Sequence, residues 1–204
     1  MIYLSGCLPS NPETRKQLND HGIGILLTPH SQRNLTGEGW IWAADNGCFA
    51  SRWNHKIWLE FLETRPNPQT ALFAVVPDTV GDPKDTTHKW HQHHQTVRNL
   101  GYKPAYVLQD GATPHDLPWD DMDALFIGGS TKYKLSEDAK NYVDQGKQRN
   151  KWVHMGRVNS RKRIQLAYNW GCDSVDGTYL AFGPDINTPK LIKMLEHGTR
   201  PQLS

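Results

Sequence analysis

Few features of this chain settle a function class outright, and what is scarce is informative. Cysteine is rare: Cys7, Cys48 and Cys172 are odd in number and far apart. That excludes a disulfide framework and a CxxC-type zinc knuckle, and it points to a reducing, cytoplasmic setting. No run of about 18 apolar residues occurs, so no membrane-spanning helix is expected. Met1 leads straight into Ile2-Tyr3-Leu4, without a basic segment or a small-residue cleavage site, and secretion is not expected either. Charge of one sign is also lacking. Lys and Arg number 23 against 21 Asp and Glu, a net charge of +2, so binding to nucleic acid would need a local patch.

What is present suits one globular core. Of 204 residues 37% are hydrophobic, which predicts a single domain over 1–204. The eight tryptophans follow no fixed period, so they read as packing residues and not as a repeat. Short apolar runs recur at Ile2–Leu4, Ile23–Leu27, Trp40–Ala44, Leu72–Val76, Ala105–Leu108, Ala124–Ile127, Trp152–His154 and Ser174–Val175. These are eight candidate strands. Between them lie helical patterns with their own punctuation: Asn11-Pro12 to Gly22, Asp82-Pro83 to Gly101, Ser136 to Arg149, Ser160 to Gly171, and Thr188-Pro189 to Gly198. Trp58, Phe61 and Leu62 mark one more helix ahead of Pro66.

Strand then helix, repeated, predicts an α/β fold with a parallel sheet, and eight strands let it close into a compact, irregular (β/α)8 TIM-type barrel. An open doubly wound sheet is the alternative. His30–Gly39 and Asp110–Asp123 show no helical period, so the irregularity is expected there.

In such folds chemistry gathers at the carboxyl ends of the strands. The residues just past the apolar runs are Asp45, Asp78, Gln109, Gly128-Gly129, Met155-Gly156 and Asp176. Each has a plainer explanation, since an Asp after a strand is a common turn former or helix cap and paired glycines make a tight turn. Asp78, followed by Thr79 and Gly81-Asp82, is most open to it. Three carboxylates and an amide at one mouth favour a site.

These residues also carry a resemblance. Asp45-Asn46-Gly47-Cys48-Phe49, Val107-Leu108-Gln109-Asp110-Gly111, Phe126-Ile127-Gly128-Gly129-Ser130, His154-Met155-Gly156 and Gly171-Cys172-Asp173-Ser174-Val175-Asp176 resemble, in order, five motifs of the tRNA-guanine transglycosylase superfamily. Cys48 and Ala50 depart from its first motif, and no Cys/Cys/Cys/His cluster follows Asp176, so no zinc is carried over. The zinc-free form is most similar to the DNA 7-deazaguanine transglycosylases of phages and bacterial DNA-modification clusters.

The resemblance implies exchange of guanine in DNA for a 7-deazaguanine such as preQ0, in the cytoplasm, or the host cytoplasm if phage-encoded. Asp176 would be the nucleophile and Asp45 the general acid and base. Asp78, Gln109, Gly128, Gly129 and Gly156 would bind the base, and Phe49 and Met155 would sandwich it, unless these last two are ordinary core. Lys132, Arg157, Arg161 and Arg163, with Lys134 near them, are candidate phosphate contacts, although a basic run is also an ordinary solvated face. A tRNA-acting relative, a non-catalytic nucleic-acid-binding barrel and a plain glycoside or nucleoside hydrolase are the alternatives. The His91-Gln92-His93-His94 run has no nearby Cys and no HExxH pattern, and is read as a solvent-facing helix surface. No metal and no cofactor are expected.

Overall fold

The computed structural model describes residues 1–9, 11–31, 36, 39–50, 53–181 and 183–198. Eight strands occur in chain order: β1 (Ile2–Ser5), β2 (Ile23–Leu27), β3 (Trp42–Ala44), β4 (Ala74–Val75), β5 (Pro104–Leu108), β6 (Ala124–Ile127), β7 (Trp152–Met155) and β8 (Ser174–Gly177). Each pairs in parallel with the next, and β8 pairs with β1 through Leu4↔Asp176, closing a barrel. The helices are α1 (Pro12–Asp20), α2 (His55–Glu63), α3 (Pro83–Asn99), α4 (Thr131–Lys134), α5 (Glu137–Gln148), α6 (Arg161–Asn169) and α7 (Pro184–Gly198). The fold is a (β/α)8 barrel and not an open sheet.

Local chemistry explains where the helices begin. Asn11 accepts from the Glu13 and Thr14 N–H groups, Asp82 from Asp85, Ser136 from Ala139 and Ser160 from Arg163. Each satisfies orphan donors of a first turn. The last helix corrects the sequence reading, because it starts at Pro184 and not at the Thr188-Pro189 pair. Pro184 takes the first position, where its missing N–H costs nothing, and Pro189 is carried inside the helix.

Two layers of apolar packing result. Every second strand residue points into the barrel, where Leu4, Leu26, Ala43, Phe73, Val75, Ala105, Val107 and Ala124 form the inner core. The alternate residues meet the helices in an outer layer that holds Trp58, Phe61 and Leu62 of α2 and Trp90 of α3. Trp58 and Trp90 are fully buried; alanine at either site would cost about 3–5 kcal/mol. The Asp110–Asp123 connection carries only a single 3-10 turn at Pro114–Asp116, as its lack of helical period suggested. Much of the His30–Gly39 stretch lies outside the described residues.

Candidate active site

The inward alternation continues past the strand ends and places the functional side chains. Ala43 leads to Asp45, Val107 to Gln109, Phe126 to Gly128, His154 to Gly156 and Ser174 to Asp176, all but Ala43, His154 and Ser174 lining one cavity of about 160 Å³ at the carboxyl end of the barrel. That is smaller than the roughly 300–1,000 Å³ of drug-sized sites and leaves room for a small molecule only. Leu26, Val75, Val107 and Phe126 form its apolar floor, while Asp78 and Phe49 stand at its sides.

Asp78 is no mere turn former. It is only 7% exposed, and its carboxylate accepts from Asn46 Nδ2 at 2.8 Å and Gln109 Nε2 at 2.6 Å. Burial pushes its carboxyl above the usual range, against the donors Asn46, Cys48 and Gln109 and the charge of Lys89. Gln109 also accepts from the Gly81 N–H at 3.0 Å, so its first task here is to brace Asp78. Asp45 is half-buried and accepts from the Asn46 N–H at 2.9 Å. Its carboxyl is pushed up to about 7 by burial first, then by the negative charges of Asp176 and Asp78. A group near 7 can both give and take a proton in neutral solution.

Asp176 has a partner that the strand-end rule overlooked. His154 is fully buried, with Nε2 2.9 Å from Asp176 Oδ1 and Nδ1 2.8 Å from Ser174 Oγ. Ser174 Oγ also accepts from Trp152 Nε1 at 2.8 Å, which leaves the hydroxyl proton for Nδ1. The network therefore assigns the imidazole proton to Nε2, donated to Asp176. Phe73 and Phe126 pack on the ring at centroid distances of 5.1 and 4.5 Å, so Asp176 is held in one orientation. Three positions earlier, Asp173 ties β8 to its surroundings through Lys147 and the Val153 N–H.

The glycines shape the remaining wall. Gly129 has φ +72°, and a Cβ there would lie 2.2 Å from an Asp110 oxygen; that carboxylate binds the N–H and hydroxyl of Ser130, both at 2.6 Å. A Cβ at Gly156 would meet the Phe126 ring at 2.7 Å, so glycine is required for the ring to form the floor. Arg157 lies at the mouth, donating to the Gly129 carbonyl, with its guanidinium 4.1 Å above the Phe49 ring centre. Phe49 is 60% exposed, open to a stacking partner.

Some expected residues sit elsewhere. Met155 is 1% exposed and belongs to the outer core: it has the opposite alternation to His154 and Gly156 and points away from the cavity, so it cannot sandwich a base there. Lys132 is exposed on α4, outside the cavity. Arg161 borders a separate pocket with Lys190, Lys193 and Met194 of α7, and Arg163 lies on the first turn of α6. Sequence reasoning missed His154 and Asn46 as supports, and gave Lys134 no place inside the cavity it lines. His91 and Gln92 are exposed as expected, while half-buried His94 stacks on Trp90 at 5.1 Å and bonds its carbonyl. Among the described residues no group of three His, Cys, Asp or Glu is gathered as a metal site, and no helix is long and apolar enough to cross a membrane.

No family model and no curated protein matches the chain. Solved structures do match, among them three of tryptophan synthase from Mycobacterium tuberculosis. The form bound to aminoacrylate and BRD0059 has a TM-score of 0.59 at 14% identity, covering 98% of this chain and 91% of that one. The open form with BRD0059 scores 0.60 at 14% identity over 97% and 91%, and the structure in space group F222 scores 0.59 at 15% over 98% and 91%. At such identities the likeness concerns architecture, and it establishes the chain as a TIM-type (β/α)8 barrel.

Proposed function

We propose that this barrel is a glycosyltransferase that exchanges guanine in DNA for a 7-deazaguanine of the preQ0 type, through a covalent bond between Asp176 and the deoxyribose. The observation that carries the reading is the pairing at one cavity of Asp176, oriented by the His154 N–H, with Asp45, whose carboxyl is pushed up to about 7. Two carboxyl groups in unlike environments divide the roles of nucleophile and proton carrier. The five ordered motifs supply the substrate class; the solved structures bear on the barrel alone.

In the first step an Asp176 oxygen attacks C1′, the C1′–N9 bond breaks, and the departing guanine takes the Asp45 proton. The incoming base then gives a proton back to Asp45 and attacks C1′, releasing the Asp176 ester, so configuration is retained. Asp78 accepts from the N1–H and exocyclic amine of the base on lone pairs that Asn46 and Gln109 leave free, and the remaining Gln109 N–H faces O6. Phe49 offers a stacking face worth about 1–3 kcal/mol. The target nucleotide enters flipped out of its stack, with Arg157, Arg161, Arg163 and Lys132 as phosphate contacts along the path.

The test is nucleoside mass spectrometry after incubating the protein with DNA and preQ0. The proposal expects the 7-deazaguanine deoxynucleoside to appear as deoxyguanosine disappears, with no product on tRNA. Unchanged DNA would overturn it in favour of a non-catalytic barrel, product on tRNA alone would favour a tRNA-acting relative, and free guanine with abasic sites would favour a hydrolase.

A further inference from the structure

Lys134 is a cation where cations are rarely kept. It is 3% exposed, lines the cavity, and donates from Nζ to the Gly156 carbonyl at 2.7 Å. Buried lysines are ordinarily paired with a carboxylate, yet among the described residues none lies within ion-pair distance of this ammonium, and one acceptor leaves most of its donor capacity unused. Four charges act on it from the neighbouring elements. Arg157 and Arg163 repel it, and Asp176 and Asp110 attract it more weakly than burial and Arg157 oppose it, so its pKa is lowered to about 8. Asp110 is already committed to Ser130 and Asp176 to His154.

The place of the ammonium identifies what it can hold. Gly156 joins Lys134 to the nucleophile: its carbonyl accepts a hydrogen bond from Lys134 Nζ, and a Cβ on it would lie 3.4 Å from Asp176 Oδ1. Lys134 thus shares Gly156 as a neighbour with Asp176, whose charge also acts on it. Lys134 and Arg157 line the cavity, and Arg163 acts on Lys134 from α6, so a chain of net charge +2 carries a local positive field at this wall.

We propose that Lys134, with Arg157 and Arg163, forms an anion site for the phosphate attached to the target deoxyribose, so that the cavity selects a guanine nucleotide over the nucleoside. The site rests on the base-exchange reading of the cavity. Desolvated ammonium–phosphate bonds are charge-assisted and outlast exposed ones in salt.

Calorimetric titration of the full chain with guanine, deoxyguanosine, dGMP, a trinucleotide with central guanine, and inorganic phosphate tests it. The parent is expected to bind dGMP about tenfold or more tighter than deoxyguanosine. In Lys134→Met, which keeps the apolar stem, the ratio is expected to fall towards one while guanine affinity holds; Arg163→Gln, which leaves Lys134 in place, is expected to reduce it in part. An equal gain for the trinucleotide assigns the site to the strand's phosphodiester, and a gain for dGMP alone assigns it to a monoester. A Lys134→Met protein that binds guanine and keeps the parent ratio overturns the proposal. If guanine binds neither protein, the base-pocket reading falls, and loss of inorganic phosphate binding in Lys134→Met would leave the anion site standing on its own.

Discussion

Replacing Asp45 by Asn has a consequence for stability that follows from its charge. In the unfolded chain this carboxyl ionises near its ordinary value of 3.8, whereas in the fold it is pushed up to about 7, chiefly by burial and then by Asp176 and Asp78. Between those values the folded state keeps a proton that the unfolded state has released, so Asp45 makes stability fall as pH rises from about 4 to about 7 and adds no further slope above that. Asn at this position stays neutral and still offers an oxygen to the Asn46 N–H, so the slope disappears. At 1.36 kcal/mol per pH unit the effect is capped near ~4 kcal/mol; water reaching the half-buried group through the cavity reduces it to about 1–3 kcal/mol. For a chain of this size that is a gain of roughly 3–10 °C in Tm at pH 8, shrinking towards zero at pH 4. Thermal or urea unfolding of parent and Asp45→Asn at both pH values measures it, and the slope from Asp78, common to both proteins, cancels. Equal stability at pH 8, or a gain that is the same at pH 4 and pH 8, would refute the reasoning.

Further outcomes follow from the same geometry. Asp176→Asn is expected to abolish exchange while leaving the fold and DNA binding intact, and exchange at even a tenth of the parent rate would remove Asp176 as nucleophile. Asp78→Ala leaves two base donors unpaired, a loss of about 1–3 kcal/mol in guanine or preQ0 affinity by titration; unchanged affinity would return Asp78 to a purely structural role. His154→Leu removes the N–H that orients Asp176, and a charge-assisted bond of about 1.5–3 kcal/mol corresponds to a 10- to 150-fold lower rate with guanine affinity unchanged, so a parent-like rate would show the bond to be dispensable. Guanine departure needs Asp45 protonated, so its rate is expected to fall as pH rises through about 7, a dependence that a rate flat from pH 6 to 8 would contradict.

The barrel was legible because its signals are local. Apolar runs, Asn11, Asp82, Ser136 and Ser160 caps, and glycine stops are set by neighbours within a turn or two, and the structure moves most boundaries by only one or two residues. The strand at Leu72–Val76 shrank to Ala74–Val75, because it meets β3 at the single register pair Ala44↔Ala74 and Pro77, which has no N–H to donate, follows close behind. The site was legible at the strand ends and not inside the strands. Taking residues just past each run found Asp45, Gln109 and Asp176, yet the same alternation carried two residues back from Gly156 would have found His154 and rejected Met155. Lys134 was beyond reach of such a rule. It enters the cavity from α4, after the Gly128-Gly129 turn, and only the folded path of that turn places its ammonium against Gly156.

The central claim is base exchange through a glycosyl bond to Asp176, and exchange of labelled free guanine into unlabelled DNA tests it most directly. The account predicts that label enters DNA with the parent protein, that none enters with Asp176→Asn, and that the number of guanine positions in the DNA is conserved. Absence of label with the parent protein, or release of guanine without incorporation, would contradict it.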